Sequence, residues 1–182
     1  MRTLSISLIV AAFAASALGQ GFDRDAKELV LNRSHVVTLK VEKKVAVITM
    51  ESISDFTDSD NDYTSLRVDV NDNKTIDEGV DIGFGLANGS RAYCPFFLIR
   101  EGVTTPCGRL SSAGSARKTF ARSAYADTPH PIFVYRIPVR ELTESGNTVG
   151  FLFTFYNGGS PTFYPANRPN RYSFSDTISH TF

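Results

Sequence analysis

Asp69, Asn71, Asn73 and Asp77 place oxygen-bearing side chains at relative positions 1, 3, 5 and 9 of Asp69-Val70-Asn71-Asp72-Asn73-Lys74-Thr75-Ile76-Asp77. A hard cation such as calcium takes roughly six to eight oxygens at about 2.4 Å, and a tight loop can turn alternate side chains inward to supply them. In that geometry the Thr75 backbone carbonyl fills relative position 7. Asp81 stands one residue beyond the place where a bidentate Glu would close the site. The spacing thus points to a structural calcium ion held by Asp69, Asn71, Asn73, Thr75, Asp77 and Asp81. The same residues also suit a plain polar turn, because Asn and Asp favour left-handed and Asx-turn geometry, and Lys74 stands where glycine ordinarily makes the bend. A second acidic run, Asp55, Asp58, Asp60 and Asp62, reads as a solvated loop.

Other chemistry is sparse. None of the three histidines, His35, His130 and His180, stands in H-E-x-x-H or another paired metal spacing. No G-x-S-x-G elbow, P-loop or G-x-G-x-x-G cradle occurs. Gly83-Phe84-Gly85 lies inside a strand pattern, where close backbone packing accounts for it. His130, between Pro129 and Pro131, has no partner in the sequence that would make it a general base. The inventory is that of a non-catalytic chain. Lys plus Arg (19) balance Asp plus Glu (19), so no basic field marks a binder of nucleic acid or anionic membrane.

Met1-Arg2 supplies a short positive start, Leu4–Leu18 is almost wholly apolar or small, and Ala17-Leu18-Gly19 offers small residues for signal-peptidase cleavage. The apolar run of about 15 residues is shorter than the roughly 20 needed to span a bilayer. Residues 1–19 are therefore read as a signal peptide and 20–182 as one secreted domain with no membrane span. An oxidising destination follows, and in it Cys94 and Cys107, the only two cysteines, are expected to pair. Two free buried thiols are the alternative. Asn32-Arg33-Ser34, Asn73-Lys74-Thr75 and Asn88-Gly89-Ser90 are glycosylation sequons.

Strands must position these groups. Apolar residues alternate with polar ones at Val37–Val41, Leu66–Val70, Val80–Leu86 and Val149–Tyr156. Shorter apolar runs at Val45–Met50, Phe96–Ile99 and Ile132–Ile137 add strands, and the tail Tyr172–Phe182 adds a last one. Asn88-Gly89, Ser145-Gly146-Asn147 and Asn157-Gly158-Gly159 punctuate them as turns. Asp23–Leu31 and Val139–Thr143 suit short helical turns, and Ser111–Thr128, small and basic, suits a long loop. About eight strands in one domain, with 14 Phe and 7 Tyr for the core, imply an all-β fold. The expected form is an antiparallel β-sandwich of jelly-roll or immunoglobulin-like type, with a closed barrel as the alternative.

Leu66-Arg67-Val68-Asp69-Val70-Asn71-Asp72-Asn73 leads into Ile76-Asp77 and Val80-Asp81-Ile82-Gly83-Phe84-Gly85. Much later come Ile137-Pro138-Val139-Arg140-Glu141-Leu142 and the strand Val149–Tyr156. This order resembles the DOMON-like superfamily, and within it domains similar to family 9 carbohydrate-binding modules, over about residues 35–182. The resemblance implies a β-sandwich, structural calcium in some members, and sugar ends held between aromatic rings, typically Trp. This chain has no Trp. Tyr156, Phe163 and Tyr164, which flank the Asn157-Gly158-Gly159 turn, are the stacking faces it would offer a polysaccharide or glycan. The reading that results is a secreted, non-catalytic binding domain, which the resemblance directs toward carbohydrate. The alternatives are an extracellular matrix protein with no small ligand and a haem-binding electron-transfer domain, for which Met50 and His130 are the available axial pair.

Secreted material should start near Gln20 and contain no thiol that titrates in denaturant without reductant. The Cys94–Cys107 loop of about 14 residues would contribute about 3 kcal/mol in the chain-entropy model. Finding Met1 at the N-terminus, or two reactive thiols, refutes the corresponding expectation.

Overall fold

The computed structural model describes residues 25–75, 77, 80–87, 97–100, 103–106, 114–143, 148–166 and 176–182. The expected signal segment and both cysteines lie outside them. No helix among the described residues is long and apolar enough to cross a membrane.

Two antiparallel sheets form the fold. One has five strands in the order β1 (Lys27–Leu31), β2 (Val36–Glu42), β3 (Val45–Glu51), β9 (His130–Pro138) and β8 (Ser115–Ala121). The other has seven. Its path runs β11 (Thr162–Tyr164), β10 (Thr148–Asn157), β4 (Asp62–Asp69), β5 (Ile82–Ala87), β6 (Phe97–Arg100), β7 (Val103–Pro106), and β12 (Ile178–Thr181) also pairs with β10. The sheets are open and separate, so the architecture is a β-sandwich and the barrel alternative falls.

Alternation assigns the faces. Along β4 and β10, Thr64, Leu66 and Val68 stand in the same rows as Phe155, Phe153 and Phe151, and all six are buried. Opposite them, Val37–Met50–Phe133 and Leu39–Ile48–Tyr135 form rows across β2, β3 and β9. Together these make one core cluster. Branched and aromatic side chains suit such pleated, fully buried faces.

Polar groups cross between the sheets at chosen points. The Tyr135 phenol donates to the Thr64 carbonyl at 2.9 Å, and its oxygen lies 2.8 Å from the Thr64 hydroxyl, which is then placed to donate back. Lys118, on β8, reaches Asp62 at 3.1 Å and Asp58 at 2.8 Å. Asp62 is buried. Burial opposes the Lys118 charge, but hydrogen bonds to Asp58 and Asp62 outweigh it and raise the ammonium's pKa.

Three expectations from the sequence give way. Residues Lys27–Leu31 form a strand rather than a helical turn. Ser115–Ala121, read as loop, is strand β8; its inward Lys118 is polar because it finds Asp62 across the sandwich. The expected count of about eight strands also gives way, since twelve are found among the described residues, including β7 and β11, too brief to carry a period. Val139–Glu141 does form a single 3₁₀ turn.

Tyr135→Phe should destabilise the protein by about 1–2 kcal/mol, because the buried Thr64 oxygens each lose a partner. Denaturant unfolding checks this; a change under about 0.5 kcal/mol would make the bond incidental.

Candidate functional site

The β4–β5 connection brings all the expected metal residues into one network. Asp69, the last residue of β4, accepts the Asn73 N–H at 3.1 Å on one oxygen and the Lys74 N–H at 2.8 Å on the other. Asp81 does the same with the N–H groups of Val70 (3.1 Å) and Asp77 (2.6 Å). The amides of Asn71 and Asn73 both donate to Asp77, at 2.8 and 2.7 Å. Asn71 Oδ1 accepts the Asn73 N–H, and Asn73 Oδ1 accepts the Thr75 N–H and hydroxyl.

Hydrogen-bond donors thus already engage this oxygen set. Among the described residues no three His, Cys, Asp or Glu side chains converge as a metal-holding group. Each of these oxygens keeps a second lone pair, and loop N–H groups bond such oxygens in metal loops and plain turns alike. Asx turns at Asn71 and Asn73 each bond the side chain to the amide two residues on, which gives the same two-residue spacing. Cationic charge comes from Lys74, in left-handed geometry at φ 67°. Its ammonium contacts Asp72, Thr177 and Ser179, tying the turn to the segment that enters β12. Gly150 makes room for this: a Cβ there would lie 2.5 Å from Asp72 Oδ1 and from Thr177 Oγ1.

Burial separates the four carboxylates electrostatically. Asp69 and Asp81 are fully buried. Burial pushes Asp81 up to about 6 and raises Asp69, against the backbone N–H groups that favour their ionised forms. The Asn71 and Asn73 amides hold Asp77 down. Burial raises Asp72, but hydrogen bonds from Lys74, Ser179 and Thr177 prevail and its pKa is lowered.

The three expected stacking residues divide. Tyr156 lies on the outer face of β10, opposite Tyr63 of β4, with ring centroids 5.2 Å apart and 30° between planes. Phe163 pairs with Thr154, and Thr154 with Ser65, on that same face. The result is a strip of half-exposed rings across three strands, with the half-exposed Ser65 beside them and Thr154 buried beneath. Tyr164 points the other way. Its hydroxyl receives the Asn32 amide at 2.9 Å and meets His35 Nδ1 at 3.0 Å, and its ring stands edge-on to buried Phe155. Tyr164, partly buried, thus packs toward the core rather than beside Tyr156. Tyr63 was missed from the sequence, although the period of Leu66–Val70 extended backwards past Thr64 places it on the same outer face.

His35 is buried against Phe155, at 4.2 Å between centroids. Its Nε2 has no hydrogen-bond partner, and burial pushes its pKa down to about 4. His130 is buried with Glu51, Nε2 to Oε2 2.9 Å, while its Nδ1 meets the Thr128 carbonyl at 2.8 Å. A carbonyl accepts only, so Nδ1 donates. With both nitrogens engaged, and Met50 buried in the core rows, this pair does not fit a haem iron.

His35 and Asp81 should act oppositely on stability. The depressed His35 pKa contributes stability that is present above 6.5 and is lost as pH falls toward 4. The raised Asp81 pKa contributes stability that is present below 3.8 and is lost as pH rises through 6. Between pH 6.5 and 4.5, His35→Gln should melt relatively higher at the acid end, and Asp81→Asn relatively lower, than the wild type. Melting with calcium and with chelator tests the expected ion: stabilisation by calcium that disappears in Asp69→Ala assigns a coordination site to this turn, and unchanged melts assign a plain polar turn.

No protein-family model matches the chain, and no curated protein sequence does. The fold does have solved counterparts. A carbohydrate-binding module of family 9 from Caldicellulosiruptor kristjanssonii in complex with cellotriose superposes with a TM-score of 0.52 at 11% identity, covering 86% of this chain and 80% of that one. The same organism's family 9 module in complex with glucose gives 0.51 at 13% identity, covering 84% and 78%. At such identities the likeness is one of fold. The chain shares the β-sandwich architecture of family 9 carbohydrate-binding modules.

Proposed function

We propose that this chain is a secreted, non-catalytic β-sandwich that binds carbohydrate on the outer face of its larger sheet. The observation that carries this reading is the stacked Tyr63–Tyr156 pair, set on a fold whose solved counterparts hold cellotriose and glucose. A pyranose has an apolar C–H face and a rim of hydroxyls. Aromatic rings receive the first, and short hydroxyl side chains and phenols hydrogen-bond the second. Tyr63, Tyr156 and Phe163 provide the rings; the Ser65 hydroxyl stands beside them.

The non-catalytic part of the reading rests on the carboxylates. A glycosidase needs two of them across an open cleft. Asp69 and Asp81 are buried and capped by backbone N–H groups, and Glu51 is buried with His130. Secretion is supported by the apolar leader and small-residue cleavage site.

A glycan array, followed by calorimetry with cello-oligosaccharides and glucose, tests the proposal. Tyr156→Ala and Tyr63→Ala should each weaken binding about tenfold, the worth of one aromatic stacking contact. Tyr164→Phe should leave affinity unchanged. An empty array would favour a matrix protein without a small ligand, and wild-type affinity in both alanine variants would move the site elsewhere.

A further inference from the structure

At the end of the sandwich where β2 turns into β3, a cleft of about 680 Å³ opens between the hairpin, the 3₁₀ turn and Phe182. Val41, Val45, Pro138, Val139 and Phe182 give it apolar walls. Val41 faces inward in the row Val41–Ala46–Ile137, yet it is 47% exposed, because the cleft leaves it uncovered. The rim is cationic, with Lys43, Lys44 and Arg140. Arg140 meets Glu141 at 3.3 Å; among the described residues Lys43 and Lys44 have no carboxylate partner, and both are exposed.

The hairpin itself is unusual in its residues. Glu42 pairs with Val45, so the loop is Lys43-Lys44, and both residues have positive φ, 47° and 68°. A two-residue turn of this kind favours Asn-Gly, residues that tolerate left-handed backbone, and strained positions concentrate at functional sites. The turn is also held in place. The Lys44 carbonyl accepts the Val139 N–H at 2.9 Å, which fixes the two lysines against the opposite wall of the cleft.

We propose that this cleft binds an anionic amphiphile: a carboxylate or sulfate head at Lys43, Lys44 and Arg140, with an apolar chain along Val41, Val45, Val139 and Phe182. Charge complementarity selects the head and the apolar lining selects the body. The site lies apart from the Tyr63–Tyr156 face and does not depend on the carbohydrate reading.

The test uses laurate below its micelle concentration, with acetate and lauryl alcohol as controls, followed by calorimetry on the full chain. Laurate should bind at one site with an affinity that falls as salt rises. Acetate should not bind, and the alcohol should bind at least tenfold more weakly. Lys43→Asn with Lys44→Gly should raise the melting temperature, because the turn chemistry then matches its backbone, while weakening laurate at least tenfold. Higher stability together with lost binding separates a ligand site from a structural turn. No saturable laurate binding, equal binding of the alcohol, or unchanged affinity in the double variant would each overturn the proposal.

Discussion

Leu66, Val68, Phe151, Phe153 and Phe155 from one sheet meet Ile48, Met50, Phe133 and Tyr135 from the other, and this seam dictates where every remaining residue stands. A strand side chain can point only to one face or the other, so filling the seam with alternate residues leaves the intervening ones no choice. Tyr63 and Tyr156 reach the outer surface because Thr64 and Phe155 are committed to the core. Their ring stacking is a by-product of the register that pairs position 63 with 156. A one-residue slip of β10 would empty both the core and the aromatic strip.

The molecule treats its cations in two ways. Lys118 and Lys74 are drawn to carboxylates, the first across the sandwich to buried Asp62, the second to Asp72 over Gly150. Each replaces a long-range field with a local contact and fixes one segment against another. Lys43 and Lys44 are left outward on a turn that costs them backbone strain. That contrast, more than net charge, shows where positive potential remains for a partner.

Period-2 alternation made β2, β4, β5 and β10 readable, and β3, β6 and β9 were legible as short apolar runs. Edge strands carried no such signal. β8 has polar residues on both sides, and its inward Lys118 makes sense only once Asp62 is opposite. The acidic turn was legible as a cluster but not as chemistry: oxygens spaced two residues apart serve a metal loop and a chain of Asx turns equally. Tyr164 illustrates the complementary limit. Three aromatics close in sequence looked like one surface, and a single step along β11 sends Phe163 and Tyr164 to opposite faces.

The pairing of β4 with β10 has a kinetic side. Asp69 sits opposite Gly150, and Asp62 opposite Asn157, so about 80 residues or more of chain separate the partners. At a synthesis rate of roughly 5–20 residues per second, β4 waits several seconds for the neighbour that completes its sheet. During that interval only β5 can shield one of its edges, through the turn that Asp69 and Asp81 close with backbone hydrogen bonds. The other edge exposes Leu66 and Val68 to whatever strand arrives first. For a chain dominated by such distant pairings, folding is slow, and the vulnerable species is the half-built sheet rather than the finished sandwich.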